Sequence, residues 1–131
     1  MNKILFSSQS NIWKTPEKLY QELDKEFHFD FDPCPINPDF DGLKVTWGQI
    51  NFCNPPYSEI KLWIKKGYEE YKKKKIVVFL IPSRTDTIYW HEYVMKAHEI
   101  RFIKGRLKFN NSENSAPFPS CLVIFKGWFL Y

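Results

Sequence analysis

The sequence predicts an α/β fold: one domain over residues 1–131, with helices on the faces of a mostly parallel sheet that ends in a C-terminal β-hairpin. Three observations carry that expectation. Segments of helical period alternate with short strand-like runs, the pattern that lays helices across a parallel sheet. Ile76 to Ile81 is an unbroken apolar run, Ile-Val-Val-Phe-Leu-Ile, as a strand buried on both faces requires. The composition is globular: of 131 residues, 44% are hydrophobic, 18% aromatic and 26% charged, too apolar for a disordered chain. A domain of that length buries roughly two-thirds of its unfolded surface.

Taken in order, Met1 to Ser8 is too short an apolar patch for a signal peptide, and no apolar run nears the roughly 20 residues that span a bilayer. A soluble, intracellular protein is expected. Thr15-Pro16-Glu17 reads as a helix start, with Thr15 as cap, Pro16 at the first helical position and an acid in the first turn. Leu19, Tyr20, Leu23 and Phe27 then share one face. Residues 27–31 alternate Phe-His-Phe-Asp-Phe as a strand does, and stop at Asp32-Pro33. Pro33, Pro35 and Pro38 mark a loop. Gln49 to Cys53 is a short strand ending at Asn54-Pro55-Pro56.

Ile60, Trp63, Ile64, Gly67, Tyr68 and Tyr71 trace a helix face reaching about Lys74, and the buried strand follows over Lys75 to Pro82. Asp86 to Ala97 reads as a further amphipathic helix. Residues 99–103 and 106–109 are two strands, or one strand continued past Gly105. Residues 120–126 give a last strand, which Trp128 to Tyr131 extend. Ligands on such sheets sit beyond the carboxyl ends of the strands. Asp32, Asn54 and Pro82-Ser83 all fall at such ends.

Charge and cysteine usage narrow the function. The net charge of +4 is mild and permits nucleic-acid binding. Three cysteines without CxxC spacing, Cys34, Cys53 and Cys121, argue against a disulfide framework and a zinc site. His28, His91 and His98 have no ligand-like partners, so no metal is expected. Five Trp, seven Tyr and twelve Phe are many for so short a chain; they supply core, and they also suit base or adenosyl stacking.

The informative motif is Asn54-Pro55-Pro56-Tyr57, directly after Asn51-Phe52-Cys53 and before a helix. A bland reading is a rigid Pro-Pro turn with Asn as turn former and Tyr as core. The tetrapeptide in that place resembles the amino-methyltransferase motif. The wider chain resembles the phage DNA N-6-adenine-methyltransferase family, related to Dam. That likeness rests on Trp13-Lys14-Thr15-Pro16, Glu26-Phe27, Asp32-Pro33-Cys34, Asn37, Gly42-Leu43, Trp47, Phe52 to Ser58, Trp63, Pro82 and Ile103 to Phe109, all in one order.

The resemblance implies a reduced Rossmann-like, S-adenosylmethionine-dependent methyltransferase. It would act on the exocyclic amine of adenine in DNA, in the cytoplasm of a bacterium or a phage-infected host cell. Its chemistry explains the residue types. The lone pair of that amine is delocalised into the ring, so the amine is a poor nucleophile. The Asn54 side-chain oxygen and the Pro55 carbonyl would accept its two hydrogens and localise the pair. They would also stabilise the charge developing on nitrogen, an effect of about 3 kcal/mol per well-placed group. Pro55 and Pro56 stiffen the turn, and Tyr57 would stack on a flipped base.

For the cofactor, the resemblance assigns Trp13, Thr15 and Pro16, where a helix start holds the carboxylate. It also assigns Asp32 to meet the ammonium, with Pro33 and Cys34 shaping the pocket. The Gly-rich turn usual in this superfamily is replaced by Asp32-Pro33-Cys34-Pro35. The acid for the ribose hydroxyls has no obvious place, and Asp41 is the candidate. Lys104, Arg106 and Lys108, with Arg84, are candidates for DNA phosphates or else a solvated hairpin face. Lys72 to Lys75 reads as a solvated helix end. Asn110 to Pro119 is either a loop over substrate or a plain connection. Sequence preference must come from these loops or from a second subunit, as in a homodimer. The rival readings are an amino-methyltransferase of RNA or of a protein glutamine, and a non-catalytic nucleic-acid-binding relic of the fold.

Overall fold

The computed structural model describes residues 13–111 and 113–127, so the readings made on Met1 to Ser8 and Trp128 to Tyr131 lie outside the described residues. Helix α1 spans Glu17–Phe27, with Glu17 in its first turn and Lys25 in its last, both favourable to the helix dipole. Its end is set by His28 in the left-handed region (φ 58°, ψ 65°), whose N–H donates to the Asp24 carbonyl at 2.8 Å. Thr15 does not cap the helix. Pro16 holds the cap position, its carbonyl accepting from Tyr20 N–H at 3.0 Å, and the Thr15 hydroxyl is engaged elsewhere.

The expected strand over residues 27–31 shrinks to one bridge, Phe31 beside Asn51, in parallel sense. Phe27 belongs to α1, and its ring stacks on Phe29. Asp30 takes over part of the ladder's work, its carboxylate accepting from the N–H groups of Gln49 (3.0 Å) and Ile50 (3.2 Å). Strand β1 (Ile50–Cys53) pairs in parallel with β2 (Ile76–Pro82), Ile50 opposite Ile76 and Cys53 opposite Phe79. Between them, a 3-10 turn at Tyr57–Glu59 leads into α2 (Ile60–Tyr71). After β2 come the short α3 (Ile88–Glu92), β3 (Glu99–Phe102) and β4 (Ser120–Phe125).

The sheet order is β1-β2-β4-β3, with β4 antiparallel to both of its neighbours. The sheet is therefore mixed, with one parallel and two antiparallel ladders, which corrects the expectation of a mostly parallel sheet. The cause is the connection over residues 103–119. Among its described residues there is no crossover helix, so the chain returns antiparallel from β3 to β4. Residues 106–109 form no strand. Gly105 turns at φ 73°, and a 3-10 turn follows at Phe109–Asn111. The helix expected over Asp86 to Ala97 stops after Glu92 and resumes as a 3-10 turn at Val94–Lys96.

Alternation along β2 and β4 builds a core on each side of the sheet. Val77, Phe79, Ile81, Cys121, Val123 and Phe125 face α2 and α3, packing with Trp63, Ile64, Trp90 and Val94. Val78, Leu80, Leu122 and Ile124 face α1 and the 103–119 connection, packing with Leu23, Phe27, Phe109 and Phe118. Each fully buried side chain of this kind contributes about 1.5–3 kcal/mol. Gly67 lets α2 sit close on β2, because a Cβ there would lie 2.3 Å from the Phe79 ring.

Of the basic run at the end of α2, Lys75 is not solvated. It is buried, and its ammonium donates to Glu70 Oε1 (2.5 Å) and to the Trp47 carbonyl (2.8 Å).

Candidate active site

Phe31 and β1 deliver Asp32 and Asn54 side by side at the carboxyl end of the sheet. There, a cavity of about 360 Å³ opens between them, α1 and the segment before it. Trp13, Thr15, Asp32, Cys34 and Asn54 all line it, as do Lys14, Glu17, Tyr20, Ile36 and Phe52, which the sequence reading had not placed in a pocket. The helical period that put Tyr20 on the apolar face of α1 was the one available signal for it. Pro16 and Pro33 lie outside this lining. Pro33 instead borders a small adjoining cavity of about 30 Å³ with Asp41 and Gly42. Asp41 is likewise absent from the large cavity. Its Oδ1 accepts from Leu43 N–H at 2.9 Å in a local turn.

Asn54 is held from one side only. Its amide nitrogen donates to the Trp13 carbonyl and to the Thr15 hydroxyl (3.0 Å), while its Oδ1 is buried with no hydrogen-bond partner. Asp32 makes a turn of its own, its Oδ1 accepting from Cys34 N–H at 2.9 Å. Burial nevertheless pushes its carboxyl up to about 6, against the lowering effect of that hydrogen bond. The Cys34 thiol is pushed up to about 12, by burial first and then by the negative field of Asp32 and Glu59. Gly42 keeps this loop tight, since a Cβ there would come within 1.9 Å of the Pro33 carbonyl oxygen.

Pro55 and Pro56 are buried, and the Pro56 carbonyl accepts from Glu59 N–H (3.1 Å), which fixes the turn into α2. Tyr57 borders both cores and is not a free platform. It stacks on Trp13 with ring centroids 5.9 Å apart and meets Phe109 and Phe118 edge-on. Its hydroxyl is buried without a partner, and burial holds its pKa well above the ordinary tyrosine value. Arg84 lies close enough to oppose that shift.

Arg84, Lys104, Arg106 and Lys108 are all exposed, the last three alternating with the half-buried Ile103 and Leu107 and the buried Phe109. Among the described residues, no group of three or more His, Cys, Asp or Glu is arranged to hold a metal ion. None of the described helices is long and apolar enough to cross a membrane.

Residues 4–129 match the family described as DNA N-6-adenine-methyltransferase (Dam). The chain belongs to the Dam family. A DNA N-6-adenine-methyltransferase of Escherichia phage T1 is 24% identical over 110 residues, a match covering 74% of this chain and 46% of that relative. The chain thus spans about half the length of the curated relative it matches. No solved structure gives a significant match.

Proposed function

We propose that this chain transfers a methyl group from S-adenosylmethionine to the exocyclic amine of adenine in DNA. One observation carries the reading: Asn54 lines the cavity with its amide nitrogen already fully engaged and its Oδ1 buried without a partner. Leaving a buried acceptor unpaired costs about 1–3 kcal/mol, which a ligand N–H donated to it would recover. Asn54 Oδ1 and the Pro55 carbonyl accept the two hydrogens of the target amine, localise its lone pair and stabilise the positive charge that grows on nitrogen. Pro56 holds that pair of acceptors in register through the turn it anchors. Trp13, which lines the cavity and is backed by the stacked Tyr57 ring, offers the aromatic surface for the base, and the surplus proton leaves to water.

S-adenosylmethionine, when bound, supplies an electrophilic methyl and needs no metal for it. The cavity suits such a group. Its volume falls in the range of small-molecule pockets, roughly 300–1,000 Å³. Asp32 is a desolvated acid waiting for an ammonium, Lys14 is a lining cation for a carboxylate, and Trp13, Tyr20 and Phe52 offer aromatic surface. Cys34 completes the wall with a protonated, inert thiol.

The strand directions support a reduced Rossmann-like reading. From the Phe31 bridge through β1, β2, β4 and β3, only β4 is reversed. The cavity sits where parallel strands end, as the rule for such sheets requires.

The test is transfer of label from tritiated S-adenosylmethionine to DNA made by amplification, hence free of modified bases, followed by nucleoside analysis. Label is expected in N6-methyladenine, and Asn54→Ala should lower turnover at least tenfold with the fold intact. Label in cytosine, or none while DNA is bound, overturns the proposal.

A further inference from the structure

The segment Trp13–Thr15, which engages Asn54, is itself clasped from the far side by one asparagine. Asn110 N–H donates to the Lys14 carbonyl at 3.1 Å, and Lys14 N–H donates to Asn110 Oδ1 at 2.6 Å. The side-chain oxygen thus completes a two-bond clip of the kind two paired strands make. Asn110 does so from the left-handed region (φ 57°, ψ 27°), which asparagine tolerates better than other residues carrying a Cβ. Lys14 lies between the two groups that hold the Asn54 amide nitrogen, the Trp13 carbonyl and the Thr15 hydroxyl.

An amide is planar, so two acceptors on its nitrogen decide where its oxygen points. If the segment shifts, the amide is free to turn over and would present a donor where an acceptor is needed.

We propose that Asn110 is a positioning residue: by clipping Lys14 it holds the Trp13–Thr15 segment in place and keeps Asn54 with its oxygen toward the target amine. This rests on the reading of Asn54 given above. The clip also joins the two halves of the site. Asn110 ends the exposed basic stretch Lys104–Lys108, and Trp13 and Thr15 line the cavity.

The test uses Asn110→Gly, which keeps the left-handed backbone and its N–H but removes the acceptor, and Asn110→Asp, which restores an acceptor. In Asn110→Gly, kcat at saturating S-adenosylmethionine should fall at least fivefold, with KM for DNA within threefold of wild type. Asn110→Asp should recover most of that loss. The glycine variant should lower kcat no further in an Asn54→Ala background, because both changes reach turnover through one group.

Without any substrate, the Asn54 side-chain NH2 resonances should exchange with solvent faster in Asn110→Gly than in wild type. Wild-type kcat in Asn110→Gly beside an impaired Asn54→Ala overturns this inference alone. Unimpaired Asn54→Ala overturns it together with the reading it rests on. A loss that appears only in KM, or one that Asp does not relieve, also overturns it.

Discussion

Asp32 sits in the cavity wall with its carboxyl held near 6, chiefly by burial. Its folded value lies above its unfolded one of 3.8. The folded chain therefore keeps the proton where the unfolded chain has lost it, and folding becomes less favourable as pH rises from 3.8 to about 6. Above that window the whole penalty persists. Asp32→Asn, which cannot ionise, should thus raise Tm relative to wild type at pH 7 and leave it nearly unchanged at pH 4. An equal shift at both values would remove Asp32 as the cause. The same substitution should abolish tight binding of an ammonium-bearing ligand, the trade expected where a site stores an unfavourable group for use. Asn54 follows the same logic with a neutral group, since its unpaired oxygen is a local cost with a use only when a donor arrives.

At the scale of elements, the end of α2 is fastened to the loop before β1 by a buried charge. Glu70 is 1% exposed and takes hydrogen bonds from Lys66, Lys75 and Trp47 N–H. Burial alone would raise its carboxyl, but the hydrogen bonds from Lys75, Lys66 and Trp47 N–H prevail and hold it at about 2. Glu70→Gln would leave Lys75 buried and uncompensated, so urea unfolding should show a loss of about 3–5 kcal/mol. A loss below about 1 kcal/mol would mean that the ammonium finds water instead.

The 103–119 connection behaves differently, with its aromatic residues inside and its cations outside. Replacing Arg106 and Lys108 together should leave stability nearly unchanged. It should also reduce the slope of log affinity for duplex DNA against log salt by up to about 2. An unaltered slope would move the phosphate surface elsewhere.

At the scale of the molecule, what was legible in the sequence was whatever depends on local pattern. The run Ile76 to Ile81 had to be a central strand, and Asn54-Pro55-Pro56-Tyr57 had to sit at a strand's end. Both lie there. Contacts between distant segments were not legible. A row of four lysines reads as solvated until tertiary folding buries Glu70 beside the last of them. Phe-His-Phe-Asp-Phe alternates like a strand, yet its first ring is claimed by α1 and its Asp30 by the backbone of the next segment. The grip of Trp13 and Thr15 on Asn54 spans about forty positions and leaves no trace in spacing. Asp41, the candidate for the ribose hydroxyls, holds a two-residue turn and borders the small cavity rather than the large one, a placement no spacing announced.

The thiol at the cavity wall gives the protein a clock of its own. Alkylating reagents attack thiolates, and none of the three cysteines ionises readily: Cys34 and Cys121 are pushed up to about 12 and about 11 by burial, and Cys53 is shifted well upward. Cys34 alone borders the cavity. With iodoacetamide near neutrality, adduct should therefore accumulate slowly and first at Cys34, at the pace at which the wall breathes, and a bound nucleoside should stop it. Peptide mass mapping over time would read that pace directly. Modification as fast as that of a free cysteine would mean the wall stands open.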